Sequence, residues 1–255
     1  MIIRKSDGGF GYDATDMASI RYRVDELKAD RLIYVTDIRQ APHFGMVFAA
    51  ARRAGYVPAE VLTEHVGFGM VLGANGKPYK TRDGGTVGLA DLLDEAEKLA
   101  SPEVALGAVK YADLQNQLIK DYVFAVERMV ATTGNTGPYL QYAHARTCAI
   151  FRNPKAKGLA GDTITVLEED HEQTLALLLG RFGETVAEVA ATLQPHRLCT
   201  YLYDVATAYS SFYEHCPVLT SEGDVRESRL ALAKLTQRVL GKGLYLLGIA
   251  APEVM

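Results

Sequence analysis

Three groups of residues in this chain carry chemistry by type and spacing. Lys77, Lys80 and Arg82 place three positive charges within the glycine-rich run GANGKPYKTRDGG. A loop of that kind suits a polyanion: lysines act as point charges and glycine backbone N–H groups as donors. A solvated surface hairpin is the commoner fate of such a loop, because short motifs carry little information. Tyr12 and Asp16 stand four apart. At a strand end and the helix start after it, both face one pocket at the carboxyl edge of a sheet. As bare residues, a packing tyrosine and an N-cap are the more usual reading. Tyr139, Tyr142 and Arg146 form the third group, with Tyr139 and Arg146 seven apart and so on one helix face. An aromatic beside an arginine suits unstacked bases of a nucleic-acid loop. A buried tyrosine and a surface ion pair stand level with that reading. His43 and His65 flank strand text; a lone histidine is more often structural, which is the reading for His43, and His65 is left open.

The elements that must position these residues follow from periodicity. A strand stub over residues 1–4 runs into the Ser6–Gly9 turn, and a short extended piece follows over 10–13. Thr15 or Asp16 is expected to cap a helix over 17–28. RLIYVT (31–36) reads as a buried parallel strand. Phe44, Val47, Phe48 and Ala51 keep i, i+3, i+4, i+7 spacing, and Gly55 reads as the C-cap. Phe68, Met70, Val71 and Leu72 read as a buried strand end, and Asn75-Gly76 as a tight turn. Residues 88–100 form an amphipathic helix. Beyond Pro102 the text is nearly all helical, with one bundle helix over 175–193, another from Pro195 to Cys216 and a last one over 224–247. Residues 153–163 are the only linker-like stretch. The fold class expected is α/β then all-α: a partial Rossmann-like nucleotide-binding sheet followed by a helical bundle, with the boundary between residues 1–100 and 101–255.

Composition permits this and narrows the rest. The chain has 255 residues, enough for two modest domains, with 48% apolar and 23% charged residues. A net charge of −4 gives no overall basic surplus for nucleic acid, although a local basic face remains compatible. Three cysteines without C-x-x-C spacing read as buried thiols, not metal ligands or disulfides. No apolar run reaches the roughly 18 residues a bilayer span needs, and MIIRKSDGG is too soon polar for a signal peptide. A cytoplasmic compartment is the expectation.

Longer stretches point to a family. GKPYKTRDGGTV resembles the degenerate KMSK loop of class I arginyl-tRNA synthetases. KSDGGFGYDATDMASIRYR, ADRLIYVTDIRQAPHF and HVGFGMVLG upstream, with GNTGPYLQYAHARTCAIFR and YLYDVATAYSSFYEHC downstream, resemble that family in its own order. The resemblance runs from about Ser6 to Met255. The family's HIGH motif occurs nowhere in these residues.

The resemblance implies a carboxyl-terminal half: the lysine-loop part of the catalytic domain, then a helical anticodon-binding domain. It implies ATP-dependent attachment of arginine to its tRNA through arginyl-adenylate, in concert with an amino-terminal half that carries HIGH. The alternative is a stand-alone tRNA-binding module without catalysis. By resemblance, Tyr12, Asp16 and Gln40 bind arginine and Phe68, Gly69 and Met70 line the ATP site. Lys77 and Lys80 neutralise the leaving pyrophosphate, while Tyr139, Arg146, Tyr213 and Met255 meet the anticodon loop. ATP brings Mg²⁺, and no protein metal site is implied. The partners implied are arginine tRNA, L-arginine, ATP, and either the amino-terminal half or self-association through an open sheet edge. Two departures stand out: Val254 where relatives often carry arginine, and Phe124-Ala125-Val126-Glu127 where an acidic run is usual.

Overall fold

The computed structural model describes residues 1–73, 75–78 and 88–255. The chain divides into two compact units, Met1–Val71 with Leu118–Tyr122, and Leu72–Gln117 with Val123–Met255.

The first unit begins with an irregular segment, closed by an antiparallel bridge between Arg4 and Phe10. Helix α1 (Tyr12–Asp25) follows, then β1 (Arg31–Asp37), α2 (Ala41–Arg53) and β2 (Leu62–Phe68). α1 starts five residues earlier than the capping pattern suggests. Gly11 takes the N-cap place, and its carbonyl accepts from the N–H groups of Ala14 and Thr15. Thr15 and Asp16 therefore lie inside the helix, and Asp16 is released from capping. α2 ends as expected: Gly55 adopts φ +75°, and Tyr56 N–H closes onto the Ala51 carbonyl, a Schellman-type stop.

β1 and β2 pair in parallel, Arg31 opposite Leu62 through Asp37 opposite Phe68. Ile20, Leu32, Val47, Ala51, Val57 and Val61 make the core of this unit, and Tyr34 packs on Phe44 and Phe48. The reading of residues 31–36 as a buried strand holds on one face only. Leu32 is buried, whereas Ile33 and Val35, pointing the other way, are 42% and 58% exposed.

In the second unit Leu72 bridges Pro78, and Gly76, at φ +70°, turns the hairpin between them. Gly73 N–H donates to the Lys77 carbonyl across it. Asn75-Gly76 is thus the turn the sequence announces. Short strands β3 (Val71–Leu72) and β4 (Tyr122–Val123) lie where the chain passes from one unit to the other.

The helices are α3 (Leu89–Glu97), α4 (Pro102–Leu114), α5 (Val126–Met129), α6 (Gly137–Arg152), α7 (Asp170–Gly180), α8 (Phe182–Thr192), α9 (His196–His215) and α10 (Gly223–Leu246). α6 packs against α4, α9 and α10, over a core that includes Tyr111, Leu140, Leu202, Phe212, Leu232 and Leu240. α4 and α6 cross closely, since a Cβ at Gly137 would sit 2.6 Å from the Gly107 carbonyl oxygen.

The single helix expected over 175–193 is two. Gly180 and Gly183 flank the break, where glycine disfavours continuation, and the Tyr201 hydroxyl takes the Leu178 carbonyl, 2.9 Å away. The linker-like stretch is tethered at its far end, with Gly161 N–H donating to Glu227 Oε2 (3.0 Å) and Lys234 Nζ donating to the Ala160 carbonyl and to Asp162 Oδ1. Among the described residues no helix is long and apolar enough to cross a membrane.

Candidate functional site

In the first unit the opening turns of α1 and α2 border a cleft of about 730 Å³. Starting α1 at Tyr12 puts Tyr12 and Asp16 on successive turns of one helix, not on a strand and a helix. Both line the cleft, with Gln40 just before α2 and His43 in its first turn. His43 sits between two carboxylates: Nε2 lies 2.7 Å from Asp16 Oδ2 and Nδ1 3.4 Å from Asp13 Oδ1. Phe44 meets the imidazole edge-on. The other Asp13 oxygen accepts from Ile2 N–H. Arg39 also lines the cleft, but its guanidinium grips Asp37 through Nε and Nη2, and Arg39 hydrogen bonds hold the Asp37 carboxyl at about 2. Lys5 also lines the cleft, and the carboxylates of Asp13 and Asp16 give it an acidic wall suited to a cationic ligand. Tyr12, 86% exposed, stands at the rim.

The structure brings together Tyr12, Asp16 and Gln40, which the resemblance groups. The sequence sets His43 aside, because a gap of 27 residues says nothing about where two helix starts meet.

The segment 68–70 is braced from far along the chain. Gly69 N–H donates to the Leu118 carbonyl (2.8 Å), Met70 N–H to Asp121 Oδ1 (2.7 Å), and Tyr122 N–H to the Met70 carbonyl (3.1 Å). A Cβ at Gly69 would meet the Lys120 carbonyl carbon at 2.7 Å, so only glycine lets this brace close. The amides of Gly69 and Met70 are therefore engaged within the protein. Asp121 is a residue that sequence reasoning did not single out, since no periodicity links positions 51 apart.

Lys77 sits in the turn of the second unit, its N–H on Asn75 Oδ1 at 3.0 Å. Lys80 and Arg82, the rest of the basic loop, lie outside the described residues.

The GNTGPYLQYAHAR stretch builds the start of α6. Asn135 Oδ1 accepts from the buried Tyr111 hydroxyl (2.6 Å), and Thr136 Oγ1 caps the helix by accepting from Tyr139 N–H. The Arg146 guanidinium lies over the Tyr213 ring, 4.3 Å from its centroid. Tyr139 packs on Tyr203. Tyr142 and Tyr213 are 45% and 43% exposed, so an arginine–aromatic shelf faces solvent. Such a shelf offers flat π surfaces and a cation, which suits stacking and phosphate contact together. Tyr139 is half-buried, and Met255 ends the chain exposed. The cysteines are free and buried; burial pushes the Cys199 thiol up to about 12, which leaves it inert at neutral pH.

Residues 1–105 match the profile described as tRNA synthetases class I (R), catalytic domain, and residues 140–255 match the DALR anticodon binding domain. The chain belongs to the arginyl-tRNA synthetase family. It is 63% identical to an arginine–tRNA ligase of Cutibacterium acnes, over all of this chain and 48% of that protein. It is 47% identical to one of Alcanivorax borkumensis, over all of this chain and 47% of that protein. Among solved structures, Thermus thermophilus arginyl-tRNA synthetase superposes with a TM-score of 0.87 at 31% identity, over 100% of this chain and 51% of that one. The Plasmodium falciparum arginyl-tRNA synthetase gives 0.83 at 29%, over 99% and 46%. The chain spans about half the length of the curated relatives it matches, and the matching part is their carboxyl-terminal half.

Proposed function

We propose that the chain supplies the carboxyl-terminal half of an arginine–tRNA ligase. An arginine carboxylate oxygen attacks the α-phosphorus of ATP, the bond to the β-phosphate oxygen breaks, and pyrophosphate leaves with the electron pair. The terminal ribose hydroxyl of tRNA then attacks the carbonyl carbon of arginyl-adenylate, loses its proton and releases AMP. In this reading Asp16 and Gln40, with Tyr12 at the rim, hold the guanidinium end of arginine. Phe68, Gly69 and Met70 flank the adenine. Lys77 and Lys80 neutralise the leaving pyrophosphate, alongside the Mg²⁺ that accompanies ATP. Residues 1–100 serve catalysis and 101–255 anticodon recognition, the latter through Tyr139, Arg146, Tyr213 and Met255. An amino-terminal half carrying HIGH completes the active site, and the reaction belongs to the cytoplasm.

The observation that carries this reading is the acidic wall at Asp13 and Asp16. A carboxylate is the natural bidentate partner of a guanidinium. The test is arginine-dependent ATP–pyrophosphate exchange by the chain joined to an amino-terminal half from a relative, with arginine tRNA present. Exchange with arginine and not with lysine is expected. No exchange, together with tRNA binding by the chain, would instead favour a stand-alone tRNA-binding module. That second reading is supported by the separate hydrophobic core of the helical unit.

A further inference from the structure

α1 and α2 meet near their amino-terminal ends, and one imidazole joins them. His43, in the first turn of α2, reaches Asp16 Oδ2 through Nε2 (2.7 Å) and faces Asp13 Oδ1 through Nδ1 (3.4 Å). A carboxylate only accepts, so Nε2 carries a proton and donates to Asp16. Nothing in α2 itself calls for a histidine there. The amino terminus of a helix is an unfavourable place for a basic group, and α2 has no side-chain cap. The reason lies across the cleft. Asp13 and Asp16 stand three apart on α1, and like charges at that spacing repel unless something stands between them.

Rings fix the imidazole in turn. Phe44 meets it edge-on, with centroids 5.2 Å apart, and is itself stacked on His65 at 5.2 Å with 15° between the planes. His65 Nε2 lies 2.8 Å from Thr36 Oγ1 of β1. A column His43–Phe44–His65 therefore runs from the cleft to the sheet. Phe44 is buried against Tyr34 and Phe48, so the column is held by close packing.

His43 engages one oxygen of Asp16; among the described residues the other, Oδ1, has no hydrogen-bond partner. An aspartate left to swing must be ordered by whatever it binds, at a cost in affinity, and one already held escapes that cost. We infer that His43 is a positioning residue for the amino acid substrate: it holds the Asp16 carboxylate by Oδ2 so that Oδ1 is presented to the guanidinium. This rests on the reading of the cleft as the arginine site.

A mere staple between two helices would use the same contact, and kinetics separate the two roles. The experiment follows arginine-dependent ATP–pyrophosphate exchange and thermal melting of the chain joined to an amino-terminal half, with arginine tRNA present. His43→Ala is expected to raise the KM for arginine roughly tenfold, the upper end of what ordering one side chain costs, while kcat and the KM for ATP hold. His43→Gln, whose amide nitrogen reaches the place of Nε2, should restore most of the affinity. His43→Asn, whose shorter amide stands nearer the place of Nδ1, serves Asp13 and should not. Should His43→Ala fail to fold, the glutamine–asparagine comparison carries the test by itself. An equal rise in both KM values, or a lower melting temperature with the arginine KM unmoved, would overturn the positioning role. Rescue by asparagine and not by glutamine would overturn the assignment to Asp16. A joined wild type without arginine-dependent exchange would overturn the arginine reading of the cleft, and this inference with it.

Discussion

At the residue scale the candidate arginine site depends on Asp16 and on what holds it. In the joined enzyme, Asp16→Ala should abolish arginine-dependent exchange while circular dichroism stays unchanged. Loss of a charge-assisted partner costs on the order of 2–5 kcal/mol, and exchange at wild-type level would refute the assignment. Asp121 makes a different prediction. Asp121→Ala releases the Met70 N–H that now ends on its carboxylate, so the KM for ATP should rise roughly tenfold while the KM for arginine holds, given the usual worth of a hydrogen bond to a charged group. Asp121→Asn keeps an acceptor and should stay near wild type. An equal change in both KM values would mean that the brace serves the fold alone. Tyr12, Asp16 and Gln40 were grouped through the family resemblance, and the fold brings all three to one cleft. His43 and Asp121 were not legible, because each is defined by a contact 27 or 51 positions away that no window of sequence contains.

Element boundaries show the same limit at a larger scale. The strand over 31–36 and the Gly55 stop were legible because a short apolar run and a positive-φ glycine are local properties. The extended piece expected over 10–13 runs instead into the first turn of α1, and the strand end expected over 68–72 is split between β2 and β3. The start of α1 was misplaced: a good capping side chain at Thr15 or Asp16 outweighed Gly11, whose contribution is a carbonyl. The α7–α8 break lay hidden in unbroken apolar spacing. A buried ion pair ties α7 to α10. Glu172 (2% exposed) accepts from Arg229 Nε and from the N–H groups of Glu168 and Glu169, while Arg229 Nη1 reaches the Pro217 carbonyl and Ser221 Oγ. Desolvation alone would raise the Glu172 carboxyl, but the Glu169 amide, Arg229 and the Glu168 amide outweigh it and hold it below its usual value. A carboxyl lowered in the folded state stabilises fully above its unfolded pKa of about 4.3, and that contribution fades as pH falls through the folded value. Thermal unfolding should therefore show an acid-side loss below roughly pH 4.3 that Glu172→Gln reduces. Glu172→Ala should cost about 3–5 kcal/mol at pH 7, because it strands a buried guanidinium. A flat acid limb in the wild type would show that the pair is not coupled to folding.

For the whole molecule, the consequence to test is the bare face of the parallel sheet. Strands in parallel sheets are normally covered on both sides. Here Ile20 of α1 and Val47, Ala51, Phe44 and Phe48 of α2 pack on the β1 face that carries Leu32 and Tyr34. Ile33 and Val35 are left in the open, and β1 pairs only with β2 among the described residues. An apolar strand with a free edge recruits a neighbour unless charge or shape prevents it. In the proposed enzyme that cover comes from the amino-terminal half; in its absence a second copy of the chain is the available substitute. The chain by itself is thus expected to self-associate at micromolar concentration by light scattering. Val35→Lys should return it to a monomer without lowering the melting temperature, since the side chain is 58% exposed. The same substitution in the joined enzyme should impair assembly or exchange, because a lysine would then face an apolar partner surface. A wild-type chain that runs as a monomer across that range would show that the bare face needs no cover. The open edge would then be no argument for a partner.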